Sequence, residues 1–220
     1  MTPVSTSVAS NLPTLPADWV IRPRRAKDIP GVIELMRRVY VQPHGPEAVW
    51  PAETLVKHLE TFPEGQLLIV DGKGRVIADS TSMLVTSELA LRPHRWSEIT
   101  GHGTLATHDP RGDVFYGVDL AVDPEFQGTG LAHILYDARI ALAIHLGCKT
   151  FVAGGRMPGY HLTSDLLSPE SYLALIERGL LFDPTLSKQL RLGFILRGLL
   201  RDYISDPESE NCAALICMEL

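Results

Sequence analysis

The chain has 220 residues, with 20 Lys and Arg against 26 Asp and Glu, so its formal net charge is −6. This balance argues against general nucleic-acid binding, which needs a cationic surface, and no apolar run approaches the roughly 20 residues that span a bilayer. The three cysteines, Cys148, Cys212 and Cys217, form no CxxC pair and are odd in number, which argues against a disulfide framework and a cysteine-based zinc site.

Hydrophobic residues at 45% and charged residues at 21% are ordinary for a soluble globular protein, and the length fits one large domain or two small ones. Residues 1–18 are rich in Ser, Thr and Pro and lack the basic and apolar segments of a signal peptide, so they read as a flexible tail. Trp19 to Arg22 reads as a strand. Asp28 is placed to cap a helix over 28–40, with Pro30 in its first turn and Val32, Ile33, Leu35, Met36 and Val39 at helical spacing. Residues 41–51, with three prolines, read as a loop, and 52–62 as a second helix. Residues 66–70 and 75–85 read as a hairpin about Asp71-Gly72-Lys73-Gly74.

The polar stretch 86–112 is long for a connection inside a compact domain and reads as an insertion. Residues 113–122 (DVFYGVDLAV) are a strong strand. After an Asp-Pro turn, 131–146 form an apolar helix ended by Gly147. A strand over 149–153 follows, then a helix from Ser168 to about Arg178, a helix from Asp183-Pro184 to Gly193, and strands over 194–203 and 213–220. The order is β-α-α-β-β-insertion-β-α-β-α-α-β-β, an α/β architecture with one βαβ unit.

The segment between the strand at 113–122 and the following helix carries the chemistry. Gln127-Gly128-Thr129-Gly130-Leu131-Ala132 places glycines at a helix N-terminus, where unpaired amides and the helix dipole favour a phosphate. No Lys follows Gly130 as a Walker loop requires, and the dinucleotide fingerprint GxGxxG is incomplete. The hexapeptide matches Q/R-x-x-G-x-G/A after a strand ending Leu120-Ala121-Val122, and so resembles motif A of the GNAT superfamily of N-acetyltransferases. THDP at 107–110, YGVD at 116–119, AGGRMPGY at 153–160 and DPTLSKQLRLGF at 183–194 are similar to a bacterial GNAT subgroup often fused to a carbon–nitrogen hydrolase domain.

The resemblance implies a GNAT fold over 19–220: a mixed, mostly antiparallel sheet flanked by helices, with a splayed motif-A strand. It also implies a stand-alone acetyltransferase half. The cosubstrate is then acetyl-CoA, with Leu120, Ala121 and Val122 pairing to the pantetheine and Gln127, Gly128, Thr129, Gly130, Leu131 and Ala132 holding the pyrophosphate. Thr129 is a possible hydroxyl donor to it. Acetyl transfer needs a neutral amine and a proton for the leaving thiolate. The position that often carries a Glu or His base is Tyr116, and the strand's interior carboxylate is Asp119, which alternation sets opposite Tyr116 and Val118. The usual acid, a Tyr four residues before the Gly-Phe of the late helix, is Gln189 here, which leaves Tyr160, His161 and Tyr116 as substitutes. Direct attack in a ternary complex fits, because no Cys lies near the motif-A strand in sequence.

The remaining expectations follow. The acceptor is an amine on a small molecule or peptide, the chain is cytoplasmic, no metal, nucleic acid or membrane is a partner, and a homodimer is open. His102 and His108 lack a third ligand, Trp50 and Trp96 line a pocket or pack, Arg156 contacts an acidic acceptor or pairs with a nearby acid, and Cys148 is buried. The alternative to an enzyme is a non-catalytic acyl-CoA-binding regulatory module, which the missing helix Tyr favours.

Overall fold

The computed structural model describes residues 14–220. Its strands are β1 (Val20–Pro23), β2 (Gln66–Val70), β3 (Val76–Val85), β4 (Val114–Val122), β5 (Thr150–Arg156), β6 (Ile195–Leu200) and β7 (Ala213–Glu219). The helices are α1 (Ile29–His44), α2 (Ala52–Thr61), α3 (Ser87–Ala90), α4 (Trp96–Thr100), α5 (Leu131–His145), α6 (Pro169–Glu177) and α7 (Leu186–Arg191). One sheet joins all seven strands in the order β1-β2-β3-β4-β5-β7-β6. Only β4 and β5 pair in parallel, through the crossover helix α5, and every other neighbour is antiparallel.

Both faces of the sheet are covered, so the strands are apolar on both sides. Helices α1 and α2 pack through Val32, Leu35, Met36 and Leu55 on Leu68 and Ala121. The insertion lies on the same side, with Ile99 and Leu105 against Met83, Tyr116 and Val118. On the opposite side, α5, α6 and α7 contribute Tyr136, Tyr172, Leu173 and Leu186 to a core with Phe115, Phe151 and Ile216. Burying one large apolar side chain contributes on the order of 2 kcal/mol, so this double cover holds β4 and β5 in place.

The elements depart from the sequence reading at three points. Helix α1 runs on to His44, with a break at Gln42 (φ −114°, ψ 118°). The Asp28 side chain does not cap it; the carboxylate accepts from the Arg25 amide at 2.8 Å and from Arg22, closing the preceding turn instead. Residues 86–112 do form an insertion with short elements of its own, α3 and α4, and Thr86 caps the first of them. Leu15, inside the stretch read as a tail, packs against the cluster of Leu67, Ile69 and Leu131, while residues 1–13 lie outside the described part.

Candidate functional site

The turn between β4 and α5 is built from its first residue. Asp123 is buried; its carboxylate accepts from the Glu125 amide at 3.1 Å and from Arg38 Nε of α1 at 2.9 Å. That anchors the turn to a second helix. Gly128 and Gly130 then take φ of +79° and +94°, the left-handed region that a Cβ disfavours. The amides of Gly128, Gly130, Leu131 and Ala132 have no acceptor among the described residues. Gln127, Gly128 and Thr129 are exposed, so the amides of this turn and the positive end of α5 are open to solvent. Thr129 spends its hydroxyl proton on the Phe126 carbonyl at 2.6 Å, so the hydroxyl is not a free donor.

Next to the turn, β4 and β5 part. They pair from Val114–Thr150 to Gly117–Ala153 and no further, while β4 stays paired with β3 to Val122 and β5 with β7 to Arg156. Leu120, Ala121 and Val122 thus keep β3 on one edge and have no strand on the other. The register of β4 slips at the same place: Thr81 faces Asp119 and Ser82 faces Gly117, so Val118 is a bulge. Trp96 Nε1 of the insertion donates to the carbonyl of Val118 at 3.2 Å.

The bulge overturns the simple alternation. Asp119 pairs with Thr81 and Tyr116 with Met83, and Thr81 and Met83 lie on one face of β3. Asp119 therefore shares a face with Tyr116 rather than opposing it. It lies under α1, where Tyr40 donates its hydroxyl to Asp119 Oδ1 at 2.6 Å. Desolvation lifts the Asp119 carboxyl to about 6, the Tyr40 hydrogen bond working against the rise and the nearby Asp79 adding to it.

A profile for the Acetyltransferase (GNAT) family matches residues 79–160, which span the hairpin strand, the insertion, the turn and β5. YkwB of Bacillus subtilis, described as an uncharacterized N-acetyltransferase, is 30% identical over 196 residues, 89% of this chain and 86% of YkwB. The chain belongs to the GNAT family. YhcX of the same bacterium, described as a probable hydrolase, is 35% identical over 187 residues; these are 85% of this chain and 36% of YhcX, so the chain spans about a third of that relative.

Solved GNAT structures share the architecture. The loading GNATL domain of CurA from Lyngbya majuscula superposes with a TM-score of 0.77 at 20% identity, over 91% of this chain and 97% of that one. The GphF GNAT-like decarboxylase in complex with isobutyryl-CoA gives 0.76 at 22% identity, over 91% of this chain and 98% of that one. At these identities the likeness is one of fold. Among the described residues of this GNAT chain no helix is long and apolar enough to cross a membrane.

The other residues singled out in the sequence fall into separate places. Tyr116 is fully buried, its hydroxyl between His94 Nε2 at 2.8 Å and the Tyr203 hydroxyl at 2.9 Å, and desolvation raises its pKa well above the usual phenol value. Tyr160 is not brought to Asp119: it packs in the core of the α5–α7 side against Tyr172, and its hydroxyl donates to the Leu167 carbonyl at 3.0 Å. His161 binds the carbonyls of Pro158 and Glu208 through Nδ1. Arg156 pairs with Asp206 at 2.7 Å and Glu208 at 3.0 Å, which settles its alternatives in favour of nearby acids.

Trp50 and Trp96 stack at 6.3 Å, and an open groove of about 580 Å³ beside Trp50 is walled by α1 and the start of α2. His108 accepts from the Leu84 amide at 3.1 Å and stacks on Phe62, so it holds the insertion to β3. Cys148 is buried, and burial raises its thiol pKa. His44, Asp206 and Glu208 offer three close ligand atoms, but Arg156 already occupies both carboxylates.

Sequence reasoning missed Tyr40, Arg24 and Arg139. Arg24 lies on the α1 side of the sheet beside Asp119's partner Thr81 and binds Asp79 through Nε at 3.1 Å. Arg139, a lone Arg in the apolar run LAHILYDARIALAIH, is buried behind Gly117 and binds Ser82 Oγ at 3.0 Å. An arginine in such a helix was the available signal.

Proposed function

We propose that this GNAT protein transfers an acetyl group from acetyl-CoA to an amine by direct attack in a ternary complex. The observation that carries the reading is the junction of three features: the free amides of Gly128, Gly130, Leu131 and Ala132, the unpaired edge of Leu120–Val122, and Asp119 at the bulge between them and the paired strands. The pyrophosphate would meet the turn amides and the N-terminus of α5. The pantetheine would run along the open edge of β4, an extended chain adding to a strand that lacks a partner. The thioester would then reach the point where β4 and β5 part, where unpaired backbone N–H groups stabilise its developing oxyanion.

Asp119 would take the proton of the attacking amine. A carboxyl near 6 is ionised at neutral pH yet basic enough to hold a proton in transit. Tyr40 positions it. Tyr116 is already committed to His94 and Tyr203, and would serve as a wall of the site rather than as its base. The acceptor would enter from the α1–α2 side, where Asp119 lies, and a cationic amine suits a carboxylate there.

Calorimetry with acetyl-CoA tests the reading first. The wild type should bind and Gly130→Glu should not, because a side chain and a negative charge would stand at the turn. Absence of wild-type binding would sink the acetyltransferase reading. Binding without CoA release in the presence of any amine would leave the alternative, a regulatory module that only senses acyl-CoA.

A further inference from the structure

The late helix carries Gln189 where the family resemblance calls for a phenol, and the fold supplies a phenol from another helix. Gln189 of α7 is buried and donates from Nε2 to the Tyr136 hydroxyl of α5 at 2.9 Å. The Tyr136 oxygen accepts that bond, and its own hydrogen has no acceptor among the described residues. Gln189 Oε1 is buried without a partner. It lies against Gly155, where an added Cβ would meet it at 2.7 Å. Gly155 is two residues past Ala153, the last β5 residue paired with β4. The Tyr136–Gln189 pair therefore stands at the open end of the wedge, on the face opposite Asp119.

The ring of Tyr136 is held against Phe151 and Phe194, with centroids 6.1 and 5.6 Å away. The Arg139 guanidinium lies 5.5 Å from its centroid. We propose that Tyr136 is the proton donor to the departing thiolate, and that Gln189 is its positioning residue. The proposal rests on the acetyl-transfer reading. The amine nitrogen bonds to the thioester carbon, giving a tetrahedral intermediate. On collapse the C–S bond breaks, its electron pair goes to sulfur, and sulfur takes the Tyr136 hydroxyl proton. The amine proton leaves to Asp119, and solvent exchange returns both groups to their starting states. Arg139 offsets the negative charge left on the phenol oxygen. Each proton route then has its own face of the sheet: the amine's on the α1 side, the thiol's on the α5–α7 side.

The test measures CoA release from acetyl-CoA by the full chain, with spermidine, lysine amide and a peptide with a free N-terminus as acceptors. Tyr136→Phe should keep the acetyl-CoA Kd within about twofold, while kcat on the fastest acceptor falls about 100-fold, the usual loss for a general acid. Gln189→Ala should lower kcat less, and should add nothing in the Tyr136→Phe background, because the two act as one unit. Tyr136→Phe/Gln189→Tyr should recover activity by placing the phenol on α7. A Tyr136→Phe variant with wild-type kcat overturns the proposal. So does a kcat loss matched by an equal loss of Tm and of acetyl-CoA affinity, since that marks a packing role. If the wild type releases no CoA with any acceptor, the acetyl-transfer reading itself falls and this proposal with it.

Discussion

Tyr40 and Asp119 are 79 residues apart in the chain and share a 2.6 Å hydrogen bond. The bond ties α1 to β4 one residue past the bulge, beside the place where β4 loses its β5 partner. It also acts on the state of the carboxyl. Desolvation pushes the group toward neutrality, and the Tyr40 hydroxyl, which donates to the ionised form, restrains the rise.

A carboxyl held near 6 in the fold and near 4 in the unfolded chain costs stability at neutral pH. The sign follows from linkage: its contribution is most favourable below the unfolded value and is lost as pH rises through about 6. Asp119→Asn removes that cost, on the order of 1–3 kcal/mol, and an amide oxygen still accepts from Tyr40. The variant should melt higher than the wild type at pH 7.5, with the gain disappearing by pH 4, while acetyl transfer falls at least about 100-fold. Thermal melts at the two pH values, beside an activity assay, check it. A lower Tm at pH 7.5 would mark Asp119 as structural.

The same carboxyl sets the pH profile. With Asp119 as base, kcat/KM should fall on the acid side with a midpoint near 6. Tyr40→Phe deletes a bond that favours the ionised form, so the midpoint should move to higher pH, by roughly 0.5 to 1 unit. Profiles of the two proteins in one buffer series read this shift directly. A midpoint that stays put would assign the acid limb to another group.

Much of this arrangement was legible in the sequence, and the omissions have physical causes. The hairpin about Asp71–Gly74 and the strand–turn–helix of 114–145 show in the sequence as apolar runs bounded by turn residues, since both faces of these strands are covered. The glycines of the turn marked a phosphate site in the sequence, and in the fold Gly128 and Gly130 take positive φ. The bulge at Val118 had no such signal, because the local run GVDL reads like any strand and only the β3 register reveals the extra residue. One slipped residue moved Asp119 to the other face. Helices α3 and α4 have four and five residues, too few for a period to show. The Tyr40–Asp119 and Tyr136–Gln189 pairs join residues 79 and 53 apart, and no single sequence reports such contacts.

Arg24 and Asp79 form a buried pair under α1, with side chains 0% and 2% exposed. Desolvation raises the Asp79 carboxyl, and Arg24 opposes that rise. Arg24→Met strands a buried carboxylate and should cost about 3–5 kcal/mol by denaturant unfolding. Arg24→Met/Asp79→Leu should recover most of it, because no uncompensated charge remains. If the single variant unfolds at the wild-type midpoint, the pair contributes nothing to the fold.

Arg156 closes the far end of the wedge by gripping the loop between β6 and β7. It donates to Asp206 at 2.7 and 2.8 Å and to Glu208 at 3.0 Å, and Ser209 adds a 2.6 Å bond to Asp206. Burial tends to raise the Asp206 carboxyl, but the guanidinium and the Ser209 hydroxyl hold it below the ordinary carboxylate value. A lowered carboxyl contributes stability above its unfolded pKa and loses it as pH falls. The wild type should therefore lose stability on acidification below about pH 4, the unfolded carboxylate value. Arg156→Ala should lose less over that range, because its Asp206 no longer starts from a lowered value. At pH 7 the variant leaves a buried carboxylate without its cation, so amide exchange across 205–211 should speed up while β3 and β4 stay protected. Hydrogen exchange read by mass spectrometry separates the outcomes: protection of that loop equal to wild type would mean that Ser209 and the backbone hold it without Arg156.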